Sequence, residues 1–167
     1  MPGKHAAAVD PLDALRTHLL ELLEGGGAHV GFDLAVADMP VNLRGVKLLS
    51  QPHTPWRLLE HMRLAQWDIL EFVRNAQHES PPWPEGYWPM EDAPPSSAAW
   101  SESVESFRRD LDGLKALVAD PLADLLRPLP HGQGQTLARE ALLAADHTAY
   151  HLGQLVLLRR LLGAWHE

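Results

Sequence analysis

Two histidines four residues apart, His147 and His151, stand in the last long amphipathic stretch of the chain, and side chains at that spacing lie one above the other on one helical face. Two imidazoles so placed can converge on one ion. A third ligand must then come from another segment, and the best placed is His61, in the stretch Trp56-Arg57-Leu58-Leu59-Glu60-His61-Met62. The pair alone carries little weight, because ten histidines in 167 residues give about 0.6 such pairs by chance. The chain has no cysteine, which removes disulfides, thiolate zinc sites and a cysteine nucleophile, and leaves His, Asp and Glu as metal ligands. Three neutral imidazoles on a divalent ion leave a coordination position open, as a catalytic site requires. A thiol or water there loses its proton near neutral pH and becomes a nucleophile. Imidazole suits zinc or nickel, and ligand type does not choose between them. Glu140 and Asp68 each lie two helical turns from a proposed ligand on the same face. They are candidates for acid/base work or for orienting a ligand, the alternative being solvent-exposed helix positions.

The elements that must carry these residues are marked by start and stop signals. Asp10-Pro11 opens a first helix that should stop at Gly25, with Leu12, Leu15, Leu19, Leu22 and Leu23 as its core stripe. Residues 28–53 form a connection longer than packing requires, with a short helical turn expected from Asp33 to Met39; it should run along the bundle and cover one end. Thr54-Pro55 opens a second long helix reaching about Asn75, buried through Leu58, Met62, Ala65, Ile69, Phe72 and Val73. His61 falls beside Leu58, Met62 and Ala65 on the helical wheel, so its ring points inward or to the rim of the core. A lone histidine on an apolar face is more often a hydrogen-bonded core residue than a ligand, and periodicity leaves both open.

Residues 77–98 cannot be helical, with prolines at 81, 82, 84, 89, 94 and 95. Trp83, Tyr87 and Trp88 are costly to expose together, so this loop should lie on the bundle with the three rings as anchors, or wall a substrate pocket near the metal. In the second case the Trp88 ring touches substrate and not ligands. Ser96 or Ser97 can cap a third long helix running to about Ala119, with Val104, Phe107, Leu111, Leu114 and Val118 as its stripe. Asp120-Pro121 starts a short extra turn, and Thr136 caps a last helix running to Leu162 before Gly163. Its Ala141, Ala144, Ala145, Thr148, Leu152, Leu155 and Leu158 face inward, bordered by His147 and His151. Four long helices and no credible strand describe an all-α four-helix bundle, one domain over residues 1–167, with long connections between helices one and two and helices two and three. The 77–98 loop is long enough to traverse such a bundle, which would give an up-down-down-up order.

Composition bounds the rest. A formal net charge of −8 argues against nucleic-acid binding, and no apolar run reaches the length of a membrane span. The tightest basic pairs, Arg108-Arg109 and Arg159-Arg160, read as solvated helix faces. The N-terminal residues lack the apolar core of a signal peptide, which makes a cytoplasmic location the expectation.

The histidine near the start of the second long helix, the His-x-x-x-His pair in the last, and the phrases His53-Thr-Pro-Trp-Arg-Leu-Leu-Glu-His61 and Trp83-Pro-Glu-Gly-Tyr-Trp88-Pro together resemble the DinB/YfiT-like superfamily of metal-dependent enzymes. The resemblance covers nearly the whole chain. It implies a four-helix bundle whose three metal histidines, carried over by position, fall on His61, His147 and His151. It also implies chemistry of the kind found in characterised relatives, transferases using mycothiol, bacillithiol or glutathione and a mycothiol-dependent maleylpyruvate isomerase. The expectation is therefore a divalent-metal protein acting on a small-molecule substrate as a thiol S-transferase or isomerase, paired as a homodimer. A metal-dependent hydrolase and a bundle that binds metal or a small ligand without turnover are the alternatives.

Overall fold

Asp10 accepts a hydrogen bond from the Leu12 backbone N–H at 2.8 Å and Pro11 takes the first helical position, so α1 runs Pro11–Glu24 and ends at Gly25, whose φ of 71° is left-handed. The computed structural model describes residues 10–165, all helix, turn or loop apart from one isolated bridge, Pro128 to Thr136. Leu19 and Leu23 of α1 are buried, whereas Leu12 and Leu22 of the expected stripe are 43% and 51% exposed. The stripe is narrower because α1 packs chiefly on α4 and α5.

The first connection contains α2 (Phe32–Val36), one residue earlier than its expected start and three residues short of its expected end. The backbone leaves the helix at Ala37, whose ψ is 142°, and Asp38 follows with a φ of 51°. α2 packs against α5, and Phe32 stacks on Phe107 with ring centroids 3.9 Å apart. Arg159, expected on a solvated face, is only 4% exposed. Its guanidinium donates to the carbonyls of Leu34, Ala35 and Ala164, satisfying the end of α2 and tying it to the C-terminal end of α5.

Thr54 caps α3 (Pro55–Arg74), accepting from the Arg57 N–H at 3.2 Å while its hydroxyl donates to the Asp92 carbonyl at 2.7 Å. The two long connections meet here. A Cβ on Gly45 would lie 2.4 Å from the Ala93 side chain, so only glycine permits that crossing. α4 (Ala99–Ala119) has Ala98 at its cap position, with the Ser96 hydroxyl accepting from the Ala99 N–H at 3.1 Å. Thr136 caps α5 (Leu137–Leu161) through the Arg139 N–H. After α4 the Asp120-Pro121 step makes a turn, as its spacing suggests.

Each of the four long helices touches two strong neighbours, in the cycle α1, α4, α3, α5. Glu60 accepts from Ser103 near the start of α3 and α4, and Leu70 meets Gly113 ten residues further along both, so the contacts of α3 and α4 advance together. α5 runs the other way past α3: His61 faces His147, while Asp68 shares a hollow with Arg139 and Glu140. Two apolar clusters fill the interior. One, around Leu59, Met62, Phe107 and Leu155, lies at the end covered by α2; the other, around Leu70, Leu114, Val118 and Ala141, lies at the far end.

Candidate metal centre

His61 enters the bundle because Leu58, Met62 and Ala65 hold the same face of α3 in the core; it is 2% exposed. His151 is 7% exposed and His147 is half-buried, so solvent reaches the cluster from the His147 side. One ring nitrogen from each of the three lies within 4.8 Å of the others, and His61 Nε2 is 3.0 Å from His147 Nε2. Ligand nitrogens around a tetrahedral zinc sit about 3.3 Å apart, so small ring rotations close the set on an ion. These are the three residues that the spacing and the resemblance singled out.

The hydrogen bonds around the rings prepare them as ligands. Nδ1 of His61 donates to the Tyr87 carbonyl at 2.8 Å, which leaves Nε2 with its lone pair toward the cluster. Nδ1 of His151 donates to Gln154 Oε1 at 2.7 Å, with the same effect on its Nε2. Burial lowers all three pKa values from the ordinary histidine value, to about 4 for His61 and about 3 for His147, with repulsion from neighbouring imidazoles adding to it at His61 and His147 and the Gln154 hydrogen bond opposing it at His151. Neutral imidazole is the form that binds a metal, so the donor set fits a divalent ion.

Trp88 packs inward as an anchor of the loop, and in the pocket-wall reading it would face substrate. Its ring instead stacks on His61, centroids 3.8 Å apart and 5° from parallel, and packs edge-on to His151 at 5.9 Å. The other face of Trp88 carries His53, 4.0 Å away, whose Nδ1 is buried without a partner. Tyr150 places its ring edge against His151 at 4.9 Å and is 65% exposed, forming the outer rim. Trp83 is not an anchor. It is 73% exposed, and of the three loop aromatics only Tyr87 and Trp88 pack inward.

Of the two carboxylates Glu140 is buried and Asp68 partly buried, and both are engaged away from the three histidines. Asp68 accepts from His78 Nε2 at 2.7 Å and from the Tyr87 hydroxyl at 2.6 Å. Glu140 is 2% exposed and accepts from Arg139 at 2.6 Å. Their exposure was the alternative reading, and the structure replaces it with two engaged groups. Sequence reasoning missed Gln154, whose three-residue spacing from His151 signals the contact, and His53, for which only its place just before the Thr54 cap hints at the α3 entrance.

An apolar cavity of about 390 Å³, lined by Leu23, Phe32, Phe107, Leu111 and Leu152 among others, lies on another face of α5 and is lined by none of His61, His147 and His151. Among the described residues no helix is long and apolar enough to cross a membrane.

A family model, described as the DinB superfamily, matches residues 32–155, a span that contains all three histidines, the loop and most of α5. No curated protein and no solved structure matches the chain.

Proposed function

The chain belongs to the DinB superfamily, and from that premise we propose that it is a divalent-metal enzyme transferring or isomerising a small electrophilic substrate with a low-molecular-weight thiol. The observation that carries this reading is the donor set: three neutral imidazoles from two facing helices, with no fourth His, Cys, Asp or Glu ligand among the described residues. When bound, a zinc or nickel ion would supply Lewis acidity at an open position and lower the pKa of a thiol there. His61, His147 and His151 would hold it, Tyr87 and Gln154 fix the tautomers of two of them, and Trp88 keeps water from one side.

Thiol chemistry is favoured over hydrolysis by the state of the carboxylates. A thiol is acidic enough to be activated by a cation alone, whereas water attack commonly calls for a nearby general base. Asp68 and Glu140 are engaged elsewhere. The test is a panel of glutathione, bacillithiol and mycothiol, each with a generic electrophile, on metal-loaded and metal-free protein. Turnover only in the loaded form supports the reading; equal rates in both forms reject it. The loaded protein should hold about one ion per chain and the His147→Ala, His151→Ala double variant almost none by elemental analysis. Retention of metal by that variant would place the site elsewhere.

We infer also that a second copy of the chain pairs on the outward face of α5. Leu142, Tyr150, Leu157 and Leu161 on that face are 49% to 65% exposed, an unusual load of apolar surface for one helix.

A further inference from the structure

We infer that Asp68, which touches none of the three histidines, fixes the tautomer and ring orientation of His61 through Tyr87, and thereby ties the order of the 77–98 loop to occupancy of the metal site. The inference rests on the metal reading above only for its second half.

The Tyr87 carbonyl is the acceptor that leaves His61 with its lone pair on Nε2. A carbonyl can do this only if its peptide is held, and Tyr87 sits at the end of a single 3-10 turn, Glu85–Tyr87, in a proline-rich loop without a backbone ladder. The Tyr87 and Trp88 N–H groups donate to the Pro84 and Glu85 carbonyls and shape the turn itself; what fastens the turn to α3 is the Tyr87 phenol, whose hydroxyl donates to Asp68 Oδ2 at 2.6 Å. The other carboxylate oxygen accepts from His78 Nε2 at 2.7 Å, so Asp68 pins the loop at two points. Burial, and then Asp68 itself, push the Tyr87 phenol up to about 12, which keeps it a donor across the working pH range.

Asp68 and His61 stand on the same rigid helix, about 10 Å apart along its axis. The tyrosine bridges that gap, with its hydroxyl on Asp68 and its carbonyl on His61, and closes a ring of contacts through α3. The next residue is Trp88, stacked on the same imidazole. One anchor therefore sets both the hydrogen bond in the plane of the His61 ring and the packing against its face. By linkage, an ion that selects this ring orientation stabilises the anchored loop, and loss of the anchor weakens the ion.

A purely structural role for Asp68 would affect stability and leave the imidazole tautomer unchanged. Long-range ¹H–¹⁵N spectra of the metal-free protein separate the two. Wild type should show His61 as a single Nδ1–H tautomer. Tyr87→Phe and Asp68→Ala should mix the tautomers with the helical circular dichroism retained, whereas Asp68→Asn, which keeps an acceptor oxygen, should restore most of the wild-type state. Zinc affinity should fall about 10- to 100-fold in Tyr87→Phe and Asp68→Ala, with the double variant no weaker than the weaker single. An unchanged tautomer, or zinc affinity within about twofold of wild type in both variants, would overturn the inference. If wild type binds no zinc while the tautomer still shifts in the variants, the metal reading falls and the Asp68 relay stands.

Discussion

At the scale of single residues, burial of three imidazoles gives the metal-free protein a definite pH response. The unfolded chain takes up protons at the ordinary histidine value of 6.5, while folded His61 and His147 accept them only near 4 and 3. A group whose folded pKa is lowered stabilises the fold above the unfolded value, so stability should be level above about 6.5 and decline as pH falls from there toward the folded values. Urea midpoints measured across that window should show the decline, and His147→Leu should flatten it. Trp88→Ala should lower zinc affinity as well as turnover, because the ring packs on His61, a proposed ligand; equilibrium dialysis separates the two. The pairing of His147 and His151 was legible in the sequence because helical spacing puts four-apart residues on one face, whereas His61 was joined to them through the family resemblance, and the structure brings the three together. The partners of their second nitrogens were less legible. Gln154 follows the same periodicity, but the tie from Asp68 to Tyr87 crosses nineteen positions into a loop without period, and Trp83 shows that an aromatic in such a loop carries no signal of its burial.

At the scale of elements, capping chemistry made the boundaries readable: Asp10, Thr54 and Thr136 each accept the backbone N–H that their position implies. The start of α4 was less clear because the Ser96 hydroxyl reaches in from two residues before the Ala98 cap. Arg159 was misread for a different reason. Its acceptors on α2 lie about 125 residues away, and no local pattern distinguishes it from the exposed Arg160 beside it. Removing it leaves the ends of α2 and the C-terminal turn with buried, unpaired carbonyls. Arg159→Ala should therefore cost about 2–4 kcal/mol, with hydrogen exchange speeding up in residues 32–39 before it does so in α3. Thr54→Val, which loses both the cap and the bond to the Asp92 carbonyl, should cost about 1–2 kcal/mol in denaturant titrations.

At the scale of the whole molecule, the unusual surface is that of α5, whose inner side carries His147 and His151 and whose outer face carries Leu142, Tyr150, Leu157 and Leu161. A helix apolar on both sides is one that packs on both sides. Gly153 lies midway along this outer face, and among the described residues nothing beyond its own neighbours and helix backbone stands within 4 Å of where its Cβ would be, so a second helix can approach closely there. Asp146 and Arg160 each lie seven residues, two turns, from Gly153 on the same exposed face. An antiparallel pairing of two α5 helices about a two-fold axis at Gly153 sets Asp146 of one chain against Arg160 of its partner, twice, and Ala149 against Leu157. In the proposed pairing the face would complement itself in charge as well as in apolarity. Light scattering at micromolar concentration should give twice the mass of one chain. Gly153→Glu and Leu157→Glu, which place charge at the centre of the pairing and touch no metal ligand, should each give monomers that retain zinc. A wild-type monomer, or a dimer that survives both changes, would rule out this interface. Reversing the pair with Asp146→Arg should weaken the dimer, and adding Arg160→Asp should restore it, an outcome that pairing through any other face would not produce.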